Sequence, residues 1–199
     1  MAFHEINRFK VKTLPLAPFL SRDGETRANI PSSRNGSKWK TKVRLFQKRA
    51  NLTRAEVSEF IECMRKQNES FNKLTVRVQT NLASSYMDIK KTKKWDWSST
   101  PVIVQIDQDV PRQPVTRGIM PCVIPGGVYW LCYGSYEEHR IVAAGDLLSL
   151  QGIGKEEMAE FNVHPLDKTL MRDVAGNAFC GPVALSVLVS CLMVWDRHA

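Results

Sequence analysis

Paired cysteines are the first thing this chain lacks: Cys63, Cys122, Cys132, Cys180 and Cys191 are odd in number, far apart and never arranged as Cys-x-x-Cys. Neither a disulfide framework nor a cysteine-based zinc site is therefore expected. Histidine offers no substitute. His139 and His164 have no ligand partner at metal spacing, and His4 and His198 lie near the two ends, so no metal is expected. The first residues include His4, Glu5 and Arg8 rather than an apolar run, which argues against a secretory signal and for a reducing, intracellular compartment, nucleus or cytoplasm. The longest apolar stretch, Val183 to Trp195, falls short of the roughly twenty residues that span a bilayer and reads as a buried helix. No membrane partner follows from it, and no internal repeat is evident.

What is present is charge, unevenly placed. Residues 1–100 carry 21 Lys and Arg against 9 Asp and Glu, whereas residues 101–199 carry 7 against 11. A basic half of this kind suits a polyanion, because phosphate backbones reward cations by releasing condensed counterions, and DNA is the expected partner. Residues 1–45 mix Pro15, Pro18, Gly24, Pro31 and Gly36 with polar residues and little periodicity, so a loose basic arm is expected there. Residues 46–100 form a helical and basic segment, and residues 101–199 a third unit.

In the middle segment Thr53 and Glu56 have the spacing of a capping box, Leu52 and Val57 that of a hydrophobic staple, and a helix over Arg54–Gln67 follows. Val57, Phe60, Ile61 and Met64 would form its buried stripe. The alternation in Leu74-Thr-Val-Arg-Val-Gln predicts a strand. Lys90, Lys91, Lys93 and Lys94 lead into Trp95 and Trp97, a mixture that can neutralise phosphate and stack on unpaired bases. The same residues also fit a lysine surface beside tryptophans that anchor a loop on the core.

Beyond Thr100 the β-branched run Val102-Ile-Val-Gln-Ile and the segments Cys122-Val-Ile and Val128-Tyr-Trp-Leu around Gly126-Gly127 predict short strands. Helical patterns follow, broken at Gly152 and Gly154, with a short helix near Lys155 to Glu160 and a last one after Gly181-Pro182. The expected fold class is α+β: a small β-rich region, then C-terminal helices.

The ordered set Arg140, Asp146, Leu150-Gln151-Gly152-Ile153, then Gly176-Asn177-Ala178-Phe179 and Pro182, resembles the last two conserved blocks of the DNA cytosine-5 methyltransferases. Val104-Gln-Ile-Asp107, Met120-Pro-Cys-Val123 and Tyr129-Trp130 are similar to the stretch before those blocks. The likeness spans about residues 102–195. It implies a partial S-adenosylmethionine-dependent methyltransferase fold, with Asn177 and Ala178 as cofactor contacts and Arg140, Gln151, Gly152 and Gly176 as structural members of the blocks. Read on its own chemistry, Leu-Gln-Gly suits a helix ending at a positive-φ residue, with the Gln amide on nearby backbone. Gly176 would permit close backbone approach to a ligand, and Asn177 could equally cap a helix entry.

Departures are equally informative. Ala143 stands where the family has a threonine cap, and Gly145 where it has a basic residue. No Phe-x-Gly-x-Gly cofactor loop, Pro-Cys-Gln nucleophile loop or Glu-Asn-Val acid occurs. Cys122 follows a proline but lacks the glutamine and the downstream acid, so no catalytic residue is assigned. The expected function is that of a cytosine-5 methyltransferase-like protein, inactive alone and completed by a second chain. A nucleic-acid-binding or protein-interaction module without chemistry is the alternative.

Overall fold

The computed structural model describes residues 36–160, 168–178, 184–185 and 187–189. Helix α1 (Gly36–Arg49) opens it, so the last ten residues of the expected arm are helical. Asn51, with φ at 50°, ends α1 in the left-handed conformation that Asn tolerates, and the Leu52 amide returns to the Gln47 carbonyl at 2.8 Å. The chain enters α2 (Arg54–Gln67) at the bounds its cap predicts. The Thr53 amide donates to Glu56 Oε2 at 2.8 Å and the Glu56 amide to Thr53 Oγ1 at 3.2 Å, the reciprocal box. Leu52 and Val57 are both buried beside it, in one apolar cluster. Thr53→Ala is expected to lower stability by about 1 kcal/mol in urea denaturation.

After the single turn α3 (Glu69–Asn72) comes α4 (Val76–Asp88), where alternation predicted a strand. The correction has a local cause and a tertiary one. Thr75 caps the helix by accepting from the Val78 amide. Leu74, Val78, Leu82, Tyr86 and Ile89 then recur at helical spacing and are all buried, while Val76, the alternation's middle residue, is exposed. A window ending at Gln79 sees only the first part of that stripe.

Four short strands follow: β1 (Val102–Gln105), β2 (Val115–Arg117), β3 (Tyr129–Cys132) and β4 (Arg140–Ile141). They form one antiparallel sheet in the order β2-β1-β3-β4. Cys122-Val-Ile, expected as a strand, is irregular. Its amide and carbonyl groups are engaged instead by Tyr129, whose hydroxyl donates to the Cys122 carbonyl at 2.9 Å and accepts from the Ile124 amide at 3.0 Å.

The sheet is covered on both faces, so its central strands β1 and β3 are buried at every position, Gln105 included. Val102, Val104, Trp130, Cys132 and Ile141 face α2–α4 and meet Met64, Phe71, Leu82 and Tyr86. The alternate residues Ile103, Tyr129 and Leu131 face the other way, onto α5 (Ala144–Leu150), α6 (Lys155–Glu160) and α7 (Lys168–Asn177). The architecture is α+β in three layers, and residues 46–100 share a core with the sheet beyond residue 100. The helix expected at Val183 to Trp195 falls largely outside the described residues; within it 184–185 and 187–189 are helical. No described helix is long and apolar enough to cross a membrane.

Candidate nucleic-acid interface and the paired C-terminal blocks

Helix α4 runs directly into a π-helical turn, Ile89–Lys93, anchored by buried Ile89 and closed by Lys94 in a left-handed conformation. The turn carries Lys90, Lys91 and Lys93, with Lys94 directly after it. Lys91 is held by Glu56 at 2.5 Å, and this ammonium, followed by the Thr53 cap, keeps the Glu56 carboxyl down at about 2. Lys93 sits 4.6 Å from the centre of the Trp95 ring. Lys90 and Lys94 are exposed.

The two tryptophans do not offer the bases a platform. Trp95 packs against the core beneath Lys93. Trp97 is half-buried in an aromatic group, 5.4 Å from the Tyr86 ring, 5.8 Å from His139 and 6.0 Å from Tyr136. The lysines are surface groups, whereas the tryptophans anchor their loop.

That aromatic group surrounds a buried polar chain to which the sequence gives no clue, because its members are 44 and 53 residues apart. The Trp130 indole donates to the Tyr86 hydroxyl at 2.9 Å. Tyr86 in turn hydrogen-bonds His139 Nδ1. Indole only donates, so Tyr86 accepts there; between Tyr86 and the neutral ring the proton is assigned to Tyr86, and the imidazole proton to Nε2. Burial pulls His139 down to about 4, against the smaller upward pulls of the Gly134 backbone and Glu138, while Arg140 adds to the downward pull. Asn68 locks the neighbourhood, its amide donating to the Tyr136 and His139 carbonyls at 2.6 Å each and its oxygen accepting from Phe71.

On the opposite face, the two sequence blocks meet. Helix α5 ends at Gln151, whose amide donates to the Ala175 carbonyl in α7 at 3.2 Å. Gly152 follows with φ at 91°, a conformation open to glycine and strained for other residues. Gly176 lies one residue beyond Ala175, where a Cβ would collide with the Ile124–Pro125 backbone. Its close approach is thus to its own chain, where a ligand was expected. Asn177 is exposed at the end of α7, its amide on the Asp173 carbonyl at 2.9 Å, rather than at the entry to a following helix. The Ala178 amide is taken by the Val174 carbonyl. Arg140 lies on β4, donating to the Glu138 carbonyl at 3.2 Å.

Against family models, curated proteins and solved structures, the chain finds no match.

Chemistry is sparse among the described residues. Cys122 is exposed, but no acid or base is hydrogen-bonded to its sulfur, which meets only the Val123 carbonyl at 3.8 Å. Cys132 is buried, its thiol pushed up to about 12 by desolvation, a state unsuited to nucleophilic attack. No described group of His, Cys, Asp and Glu side chains could hold a metal ion. Nor do the described residues by themselves fit S-adenosylmethionine. Gly176 is closed by Ile124–Pro125, the Ala178 amide is engaged, and the exposed Asn177 side chain donates to the Asp173 carbonyl of its own helix.

Proposed function

We propose that this chain is a module of the DNA cytosine-5 methyltransferase type, able to contribute the closing blocks of the catalytic domain and dependent on a second chain for nucleophile, acid and cofactor loop. The observation that supports it most is the Gln151–Ala175 hydrogen bond. Gln151 of the first sequence word reaches the Ala175 carbonyl, one residue before the second word, across a helix pair, so two stretches read as the family's last two blocks from order and spacing lie side by side. In this reading Gln151 and Gly152 end α5 so that it can seat α7, and Gly176 lets α7 close on the Ile124–Pro125 loop. Asn177, exposed at the end of α7, is the residue that the family resemblance assigns to the methyl donor once a partner completes the site.

Complementation tests this directly. A cytosine-5 methyltransferase fragment that carries nucleophile and cofactor loop but lacks its last two blocks is mixed with the full chain, duplex DNA and tritiated S-adenosylmethionine. Transfer is expected in the mixture alone, reduced about tenfold or more by Asn177→Ala. Transfer by the isolated chain would remove the dependence on a partner. If the fragment is rescued by its own closing segment and never by this chain, the family reading fails.

Nucleic-acid binding without chemistry is a second reading, favoured by the exposed Lys90 and Lys94 beside Lys91 on the turn after α4. Such a surface would contact phosphates and carry no base preference.

A further inference from the structure

Helix α1 contains six cations and no acidic residue over Gly36–Arg49. Three of them, Lys40, Arg44 and Lys48, stand four residues apart and are all exposed. Successive members of such a row share a helix flank and rise about 6 Å per step. Like charges at this spacing weaken an isolated helix by about 0.2–0.5 kcal/mol per pair, so the row is not explained by the stability of α1. The helix is held down along the adjoining flank. Val43 is buried, Gln47 donates to Ser84 of α4 at 3.0 Å, and Lys42 reaches Asp109 at 2.6 Å, where Arg77 also binds. Lys42 is therefore neutralised within the fold, while no acidic side chain among the described residues pairs with Lys40, Arg44 or Lys48.

The row also points towards a second basic element. Its C-terminal end leads through the turn at 50–53 into the start of α2, where Glu56 holds Lys91 of the lysine turn. Phe46 and Ala50 of α1, Val57 of α2 and Met87 of α4 share one apolar cluster there. Two basic stretches some forty residues apart in sequence are thus brought to one end of the helical layer.

We propose that this face binds the phosphate backbone of duplex DNA, with Lys40, Arg44 and Lys48 following successive phosphates of one strand. A regular row of cations matches a regular row of anions. The choice of duplex over single strand follows from the aromatics, because every aromatic side chain of the described residues is buried or half-buried. A single-strand binder needs exposed rings on which unpaired bases stack, and this face presents charge without them. The inference deepens the binding reading of the lysine turn and is independent of methyl transfer, since the row lies outside the segment that resembles a methyltransferase.

The test is the salt dependence of duplex binding by the full chain, read by fluorescence anisotropy with a labelled duplex of mixed sequence. Neutralising Lys40, Arg44 and Lys48 together to Gln is expected to flatten the slope of log affinity against log salt by about 2 to 3, roughly 0.9 for each phosphate left without its cation. The triple variant Lys66→Gln, Arg117→Gln and Lys168→Gln removes the same charge from exposed positions elsewhere and should leave the slope unchanged. Equal flattening by both variants would reduce the effect to net charge and overturn the proposal. So would tighter binding to a single strand of equal phosphate number, or competition by polyglutamate as effective as that by unlabelled duplex. The complementation assay above is unaffected by any of these results, so the two readings can fail separately.

Discussion

Gly176→Ala is expected to destabilise the chain by about 3 kcal/mol, a large loss for an added methyl group. The reason is the backbone rather than a side chain. The new Cβ would strike the Ile124–Pro125 segment, which cannot rotate away as a flexible side chain could. That segment is itself fixed, with the Ile124 amide and the Cys122 carbonyl both bonded to the Tyr129 hydroxyl. Burial pushes this phenol up to about 12, so the anchor persists across the physiological range. Relief of the clash would move α7 off the sheet and lengthen the Gln151–Ala175 hydrogen bond, separating the two blocks. Chemical denaturation gives the stability loss, and Asn177→Ala, at the exposed end of the same helix, serves as the mild comparison, expected within about 0.5 kcal/mol of the parent.

Acid should weaken the fold through His139. Unfolded, this imidazole takes up its proton near 6.5, and in the folded chain only near 4. Between those values the unfolded state holds more protons, so stability is full above about pH 6.5 and falls as the pH drops towards 4, by about 3 kcal/mol in all. Geometry reinforces desolvation here. A proton on Nδ1 would require the Tyr86 hydroxyl to turn its own hydrogen away and to accept there as well as from Trp130. Glu56, Glu69, Asp96, Asp109 and Glu138 all have lowered values, so their own losses begin as the unfolded carboxyls take up protons, near 4.5 for Glu and 3.8 for Asp, and continue below this window. His139→Asn keeps an oxygen acceptor for Tyr86 and removes the titration. Urea midpoints for it should be nearly flat from pH 6.5 to 4.5, where the parent declines. A parent curve that is already flat would mean that His139 does not titrate in this way.

Local chemistry was readable where the deciding atoms are close in sequence. Thr53 and Glu56 satisfy each other three residues apart, so their spacing alone fixed the start of α2, and Gly152 ended α5 because only glycine adopts that backbone cheaply. The strand expected at Leu74–Gln79 failed for the opposite reason. Its alternation competes with a helical stripe whose last members, Tyr86 and Ile89, are buried by Trp130 and its neighbours on the sheet, a contact no local window contains. The role of Trp95 and Trp97 was open in the same way, since stacking on bases and packing in the core require the same rings.

By itself, then, the sequence determined the Thr53 cap, the helix end at Gly152 and the uneven charge, all properties of neighbouring residues or of simple counts. Tertiary packing alone decided that α4 is a helix, that Tyr86, Trp130 and His139 form one buried chain, that Gly176 is closed by its own loop, and that Asp109 takes Lys42 of α1 while Lys40, Arg44 and Lys48 stay exposed. Each of these depends on burial against residues distant in sequence, and burial is set only when both faces of the sheet are covered.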